Sequence, residues 1–227
     1  MKELKPNDKR AKNAILLIWI LLGLGIISII SSFLQLNLLQ NAAEGNEIND
    51  TEANINDIRE QIIAILYITT FIISGITFIQ WFRRAYFNLH LLNNRSTYKE
   101  GWAAGSWFVP ILNLFRPYQI MQELYHETRL ILLRNKVKFN STFSSKYLGW
   151  WWALWVFSGI SGQSIQSYSN NAESIDQLIW LTFASLVSNI IGIFLAIITI
   201  KVIKDYAEIE SLLVRIQKKR IEEASRQ

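Results

Sequence analysis

Four long stretches without a charged side chain constrain the fold of this sequence more than any other feature. They are residues 13–36, 61–82, 147–172 and 177–200. A bilayer core of about 30 Å is crossed by about 20 helical residues, so each stretch is long enough to span it. A helix that is apolar on all sides over such a length is typical of a membrane span. The sequence therefore predicts an all-α integral membrane four-helix bundle. The predicted spans cover about 14–36, 61–82, 148–168 and 177–202.

The basic residues predict the orientation of these spans. The N-terminal tail, the loop between spans two and three, and the C-terminal tail hold 22 of the 23 Lys and Arg residues. The other two loops hold only Arg59, beside eight acidic residues. Lys and Arg that flank spans stay on the cytoplasmic side. We therefore expect a multi-pass protein of the cytoplasmic (inner) membrane with both termini cytoplasmic. The basic excess is explained by topology and needs no nucleic-acid partner.

The chain accordingly divides into a cytoplasmic tail, a membrane domain and a cytoplasmic C-terminal helix, over residues 1–12, 13–205 and 206–227. Apolar residues that recur every three or four positions form one stripe along the last helix and another over residues 118–133. The first stripe comprises Val202, Tyr206, Ile209, Leu213 and Ile216, and the second Met121, Leu124, Tyr125, Thr128, Ile131 and Leu132. The two stripes are predicted to pack on each other in one chain. Pairing with a second protomer, and so a homo-oligomer, is the alternative.

The apolar segment 102–117 is too short to be a further span. Residues 102–115 would extend only about 21 Å as a helix, at about 1.5 Å per residue. Pro110 and Pro117 disfavour helix at the residues before them. We predict a proline-bent interfacial segment here, either re-entrant or lying on the cytoplasmic surface, followed by an amphipathic helix over 118–134.

Three sequence elements carry a family resemblance. They are WFRRAYFN (81–88), GWAAGSWFVPILNLFRPYQIMQELY (101–125) and GWWWALW (149–155). Together they resemble an uncharacterised bacterial membrane family, catalogued as a domain of unknown function with four predicted spans. The family pattern W-x-x-R-x-x-x-N followed by W-x-x-P-x-x-N-L-x-x-P is matched by Trp81, Arg84, Asn88, Trp107, Pro110, Asn113, Leu114 and Pro117. The resemblance implies a membrane protein and implies no activity.

The first family element predicts a structural cluster. Trp81, Arg84 and Asn88 fall on one helix face, at the end of span two. We expect Arg84 and Asn88 to hydrogen-bond the free carbonyls of the Pro110–Pro117 segment, with Trp81 or Trp107 packed over the join. The alternative is that Arg84 and Arg116 together bind a lipid headgroup or another anion.

Span four carries a stripe of small residues at four-residue spacing, which lets another helix approach closely. The stripe comprises Ala184, Ser188, Gly192 and Ala196. Asn189 lies beside it, and an amide in hydrocarbon needs a partner within the bundle. Helix packing is the expected role of this stripe, and a transport pathway is the alternative. The aromatic cluster from Tyr147 to Trp155 is similarly predicted to anchor span three at the interface, or else to form a ligand-stacking surface.

Residues with the chemistry of an active site are sparse. One Glu-x-x-His, Glu123 with His126, has no counterpart at His90, so we expect no metal. Glu123 and Glu127 are interpreted as a solvated helix face. No catalytic or cofactor-binding motif is present, and no span interior holds an ionisable group. The expected function is a non-enzymatic scaffold or a partner- or lipid-binding protein. The alternative is a small transporter or channel for a neutral or amphiphilic solute.

Overall fold

The computed structural model describes residues 3–93, 96–139 and 143–224, and within these ranges all regular structure is helical. The elements are α1 (Asp8–Ala43), α2 (Asp50–Leu92), α3 (Trp102–Gly105), a 3-10 turn (Leu112–Leu114), α4 (Arg116–Arg134), α5 (Lys146–Ser169) and α6 (Ile175–Ala224). The ends of the two predicted tails (1–2 and 225–227) lie outside the described residues. Three of the basic residues used to predict the orientation of the spans also lie outside the described residues: Lys2, Arg95 and Arg226.

Three of these helices are long and apolar enough to cross a membrane. A search of the described residues finds α1, α2 and α6. The predicted third span lies within α5, a 24-residue helix that is not among these three. Its first half is rich in Trp, and its second half reads SGISGQSIQS, so Ser, Gly and Gln dilute its apolar residues. Among the described residues there are thus three helices of this kind, where the sequence predicted four spans.

The chain forms two compact units, and each takes a part of α1, α2, α5 and α6. Unit 1 comprises Met1–Leu16, Ser74–Trp152 and Ile198–Gln227, and unit 2 comprises Leu17–Ile73 and Ala153–Ile197. The boundary falls within four helices, so the two units are defined by packing and not by breaks in the helices.

The core of unit 1 is built where α4 packs against the C-terminal part of α6. All members of the two predicted stripes are buried. The Tyr125 hydroxyl donates to the Val202 carbonyl oxygen over 2.7 Å, and the hydroxyls of Thr128 and Tyr206 lie 3.3 Å apart. The prediction that the stripes pack within one chain is confirmed. The observed helix α4 also begins at Arg116, two residues before the predicted start.

In unit 2, small residues of α1 and α6 lie against larger side chains of neighbouring helices. The Asn189 amide nitrogen donates to the Ser28 hydroxyl over 2.8 Å, so the amide has the intrachain partner that its sequence position demanded. A methyl group added at Gly25 would lie 3.8 Å from a side-chain carbon of Ile193, and one added at Gly192 would lie 3.7 Å from the Tyr67 hydroxyl. Both distances are ordinary van der Waals contacts, so the packing at these two positions does not require glycine.

Candidate functional site

The chain between α3 and α4 bends sharply at Ile111. This residue has a φ of 69°, a backbone conformation that is rare for a β-branched side chain. The backbone nitrogen of Asn113 donates to the Val109 carbonyl oxygen over 3.0 Å, so local hydrogen bonds satisfy some of the backbone polar groups in the bend. Pro117 lies in the first turn of α4, where its missing amide proton is tolerated.

Aromatic side chains hold the bent segment in unit 1. The Trp152 indole nitrogen donates to the Leu114 carbonyl oxygen over 2.9 Å. The Trp107 ring lies 5.6 Å from the Phe78 ring and 6.0 Å from the Trp152 ring, measured between centroids. Trp107 thus packs against α2 and α5, while the partner of a segment carbonyl is Trp152, a member of the predicted aromatic cluster.

Asn88 binds a different segment from the one predicted. Its amide oxygen accepts from the Lys5 backbone nitrogen over 3.0 Å, and its amide nitrogen donates to the Lys5 carbonyl over 2.8 Å. The same nitrogen donates to Glu210 over 2.7 Å. The prediction that Asn88 bonds the Pro110–Pro117 segment is wrong, because the N-terminal tail and α6 occupy both ends of the amide. Arg84 likewise turns toward Phe87.

Glu210 completes this cluster. It lies one position after Ile209 of the α6 stripe and is 5 % exposed. Its second carboxylate oxygen accepts from the Asn7 amide nitrogen over 2.9 Å. Burial raises the pKa of Glu210, while the hydrogen bonds from Asn88 and Asn7 act to lower it. The sequence analysis missed Glu210 and Asn7. The one available signal was a carboxylate set directly beside an apolar stripe.

A cavity of about 180 Å³ opens beside this cluster, and basic side chains line most of it. Its lining residues are Lys5, Arg10, Arg83, Arg84, Phe87 and Glu100. Arg10 donates to the Gln80 carbonyl over 2.9 Å, and Arg83 lies 3.7 Å from Glu100. Burial, then the positive charges of Arg84 and Arg83, lower the pKa of Arg10. We refer to these six residues as the basic cavity.

Arg116 does not belong to the basic cavity. Its guanidinium lies over the Tyr98 ring, 4.5 Å from the centroid, and 5.7 Å from that of Phe115. The prediction of one anion site shared by Arg84 and Arg116 is therefore corrected, because Arg116 does not line the cavity that Arg84 lines. The cations that share a cavity with Arg84 are Lys5, Arg10 and Arg83, two of them from the tail that the sequence analysis used only for topology.

The carboxylates of α4 hold neighbouring segments in place. Glu123 accepts from the Tyr86 hydroxyl over 2.7 Å, and Glu127 accepts from the Asn93 amide nitrogen over 2.6 Å. Both carboxylates therefore join α4 to the end of α2, and their interpretation as a solvated face is wrong. His126 is exposed and adjacent to Glu127. No group of three or more His, Cys, Asp or Glu that could hold a metal occurs in the part of the chain that the structure describes.

The Trp-rich start of α5 divides between core and surface. Trp151 and Trp152 are buried, and the Trp151 indole donates to the Thr199 hydroxyl over 3.1 Å. Trp150 is 70 % exposed and Tyr147 is 45 % exposed. The exposed pair is available for interfacial anchoring, whereas Trp151 and Trp152 fill the core of unit 1.

Comparison with known proteins identifies a family. The model of a family described as a domain of unknown function (DUF4328) matches residues 44–208, which is more than half of the chain. No curated protein and no solved structure matches the chain.

Proposed function

The chain belongs to the DUF4328 family, a domain of unknown function, and from its geometry we propose that it is a non-enzymatic scaffold that binds a partner or lipid. It is proposed to sit in the cytoplasmic membrane of a bacterium as a four-span protein. Its proposed partners are the lipid bilayer and either a second copy of the chain or another membrane protein.

The observation that carries this proposal is the structural use of two acidic side chains in unit 1, Glu210 and Glu123. Glu210 accepts hydrogen bonds from Asn7 and Asn88, and Glu123 accepts one from Tyr86. An acid or base in catalysis must reach a substrate held in a cavity. These carboxylates instead have structural partners. Glu210 connects α6 to the N-terminal tail and α2, and Glu123 connects α4 to α2. This use supports a binding role.

Charge and exposure support the proposed placement in the membrane. With α5 as the third of four spans, the three basic segments share the cytoplasmic side. Arg59, the single basic residue of the other loops, lies 3.6 Å from Glu60 and donates to the Ser31 hydroxyl over 2.7 Å. Its charge is thus offset locally. Phe157 and Ile160 of α5 are 53 % and 59 % exposed, which suits contact with lipid.

The bent segment 102–117 is proposed to lie on the cytoplasmic surface of the bilayer. Phe108 and Ile111 are 75 % and 73 % exposed, which are the two highest values among the large apolar side chains that the structure describes as exposed. Contact with acyl chains would cover this apolar surface, while Arg116 next to it would stay among the headgroups.

Reconstitution into liposomes tests the scaffold proposal. We expect no solute flux above that of empty liposomes. The chain has no cysteine, so single cysteines can be placed on the exposed face of α4 at Gln122 or His126. We expect them to crosslink to one defined protein, either a second copy or a fixed partner, while a cysteine at the buried Leu124 does not. Flux without any such crosslink would overturn the proposal.

A transporter or small channel is the second candidate, and the Asn189–Ser28 pair favours it. This pair places two polar side chains between apolar stretches of α1 and α6. A pathway for a neutral or amphiphilic solute could use it. Under this alternative, Asn189→Leu changes the flux rate, whereas Ile190→Leu on the exposed neighbour leaves it unchanged.

A further inference from the structure

We infer that the basic cavity binds a phosphate group, presented by the headgroup of an anionic phospholipid. Four of the six lining residues are cationic and one is acidic, which leaves a formal charge of +3 around about 180 Å³. Like charges in one cavity repel, and this repulsion is relieved when an anion binds between them. The inference rests on the proposed lipid-binding role and gives it a site and a ligand class.

The cationic side chains are held in position before any ligand binds. The backbone of Lys5 is fixed on both sides by Asn88, and its ammonium lies 4.6 Å from the centroid of the Phe87 ring. Arg84 lies 5.9 Å from the same centroid. Arg10 is held by its bond to the Gln80 carbonyl. A site whose groups are already ordered loses less conformational entropy on binding.

Guanidinium groups select the chemistry of the ligand. Arg presents parallel N–H donors that match two oxygens of a phosphate, and three Arg residues line this cavity. A single water needs about 10–15 Å³ of such a cavity, so about 180 Å³ leaves room for a phosphate group with hydration water.

The positions of these residues along the chain favour lipid as the source of the phosphate. Arg10 precedes the apolar stretch that begins at Ala14, and Arg83 and Arg84 directly follow the stretch that ends at Phe82. In the proposed topology, these two ends of the apolar stretches lie at the cytoplasmic headgroup layer, where anionic lipids attract basic residues. The shared chemistry remains the phosphate group, and free phosphate is the second possible source.

The test compares short-chain phospholipids with inorganic phosphate on the full-length protein in a neutral detergent. The probes are dihexanoyl-phosphatidylglycerol, dihexanoyl-phosphatidylcholine and inorganic phosphate, with binding read from the shift of the thermal unfolding midpoint. We expect phosphatidylglycerol to bind most tightly and added salt to weaken it. Arg10→Gln with Arg84→Gln should weaken that binding by roughly tenfold for each guanidinium removed, the effect of losing a hydrogen bond to a charged group.

Matched variants separate the cavity from general charge. Arg129→Gln with Arg134→Gln removes the same charge from exposed positions of α4, and it should bind phosphatidylglycerol like the wild type. Arg10→Lys with Arg84→Lys retains the charge and should bind with intermediate strength, because Lys lacks the paired donors. This variant also covers the case in which the Gln variant does not fold.

Each outcome bears on the inference. Equal binding of phosphatidylglycerol and inorganic phosphate, both lost in the Arg10 and Arg84 variant, would support the phosphate site and assign it to free phosphate. Equal binding by all variants, or no preference over phosphatidylcholine, would overturn the site. Solute flux in liposomes with intact, cavity-dependent lipid binding would overturn the scaffold proposal alone, so the two failures are distinguishable.

Discussion

Asn88 connects three segments that are far apart in the sequence. It bonds the backbone of Lys5 on both sides and donates to Glu210, which in turn accepts from Asn7. The element WFRRAYFN ends on this residue, and the structure gives a physical reason for an amide there. One side chain must donate and accept at the same time, which Asn does and a carboxylate or an apolar residue does not.

Glu210 is expected to give unit 1 a stability that rises as the pH falls. Burial raises its pKa above the usual 4.5, and Asp8 adds to this, while Asn88, Asn7 and Arg84 oppose it. Between pH 4.5 and the raised value, the folded state binds more protons than the unfolded state. The slope of the unfolding free energy with pH is therefore negative for this group. Its favourable contribution is fully present below 4.5 and is lost as the pH rises through the folded pKa.

Glu210→Gln isolates this contribution, since Gln keeps the shape and removes the titration. The midpoint of thermal unfolding in detergent, followed by Trp fluorescence between pH 4.5 and 8, should rise more steeply toward low pH in the wild type than in the variant. Glu208→Gln, on the exposed face of the same helix, should follow the wild type. Parallel curves for wild type and Glu210→Gln would contradict the raised pKa.

At the scale of the element, the start of α5 shows how one helix face holds the bent segment. Trp152→Phe removes the indole donor to the Leu114 carbonyl and part of a buried side chain. We expect it to lower the free energy of unfolding by about 2 kcal/mol, combining a lost hydrogen bond with a small cavity.

The neighbouring Trp150→Phe provides the control for this prediction, because its side chain is 70 % exposed. The same chemical change there should alter the free energy of unfolding by no more than about 0.5 kcal/mol. Thermal unfolding of the two variants in the same detergent gives the comparison. Equal shifts for both would mean that Trp152 does not hold the segment.

Periodicity explains which elements were predictable. The stripes of α4 and α6 repeat every three or four residues, so their burial against each other could be predicted from sequence. Trp150, Trp151 and Trp152 are consecutive, and successive residues of a helix point about 100° apart, so no periodic rule says which of them face the core. The tail at residues 4–7 has no periodic pattern. Its attachment to Asn88, and with it the basic cavity, could not be predicted.

At the scale of the whole molecule, α5 decides the topology. The structure contains three helices, among the described residues, that are long and apolar enough to cross a membrane. If only these three crossed, the two basic tails would lie on opposite sides, against the charge rule. If α5 also crosses, both tails and the middle loop share one side. The distribution of Lys and Arg therefore favours the crossing even though Ser, Gly and Gln lower the hydropathy of α5.

Single cysteines in this cysteine-free chain can measure the crossing directly. A membrane-impermeant maleimide applied to intact cells should label Asn46→Cys and Asn171→Cys. It should label Lys9→Cys, Lys136→Cys and Lys218→Cys only after permeabilisation, since positive residues keep these segments in the cytoplasm. All five positions are exposed, so a difference in labelling reports the side of the membrane and not burial. Asn171 and Lys218 distinguish a crossing α5 from a non-crossing one. A non-crossing α5 would exchange the sides of these two positions and leave the other three unchanged.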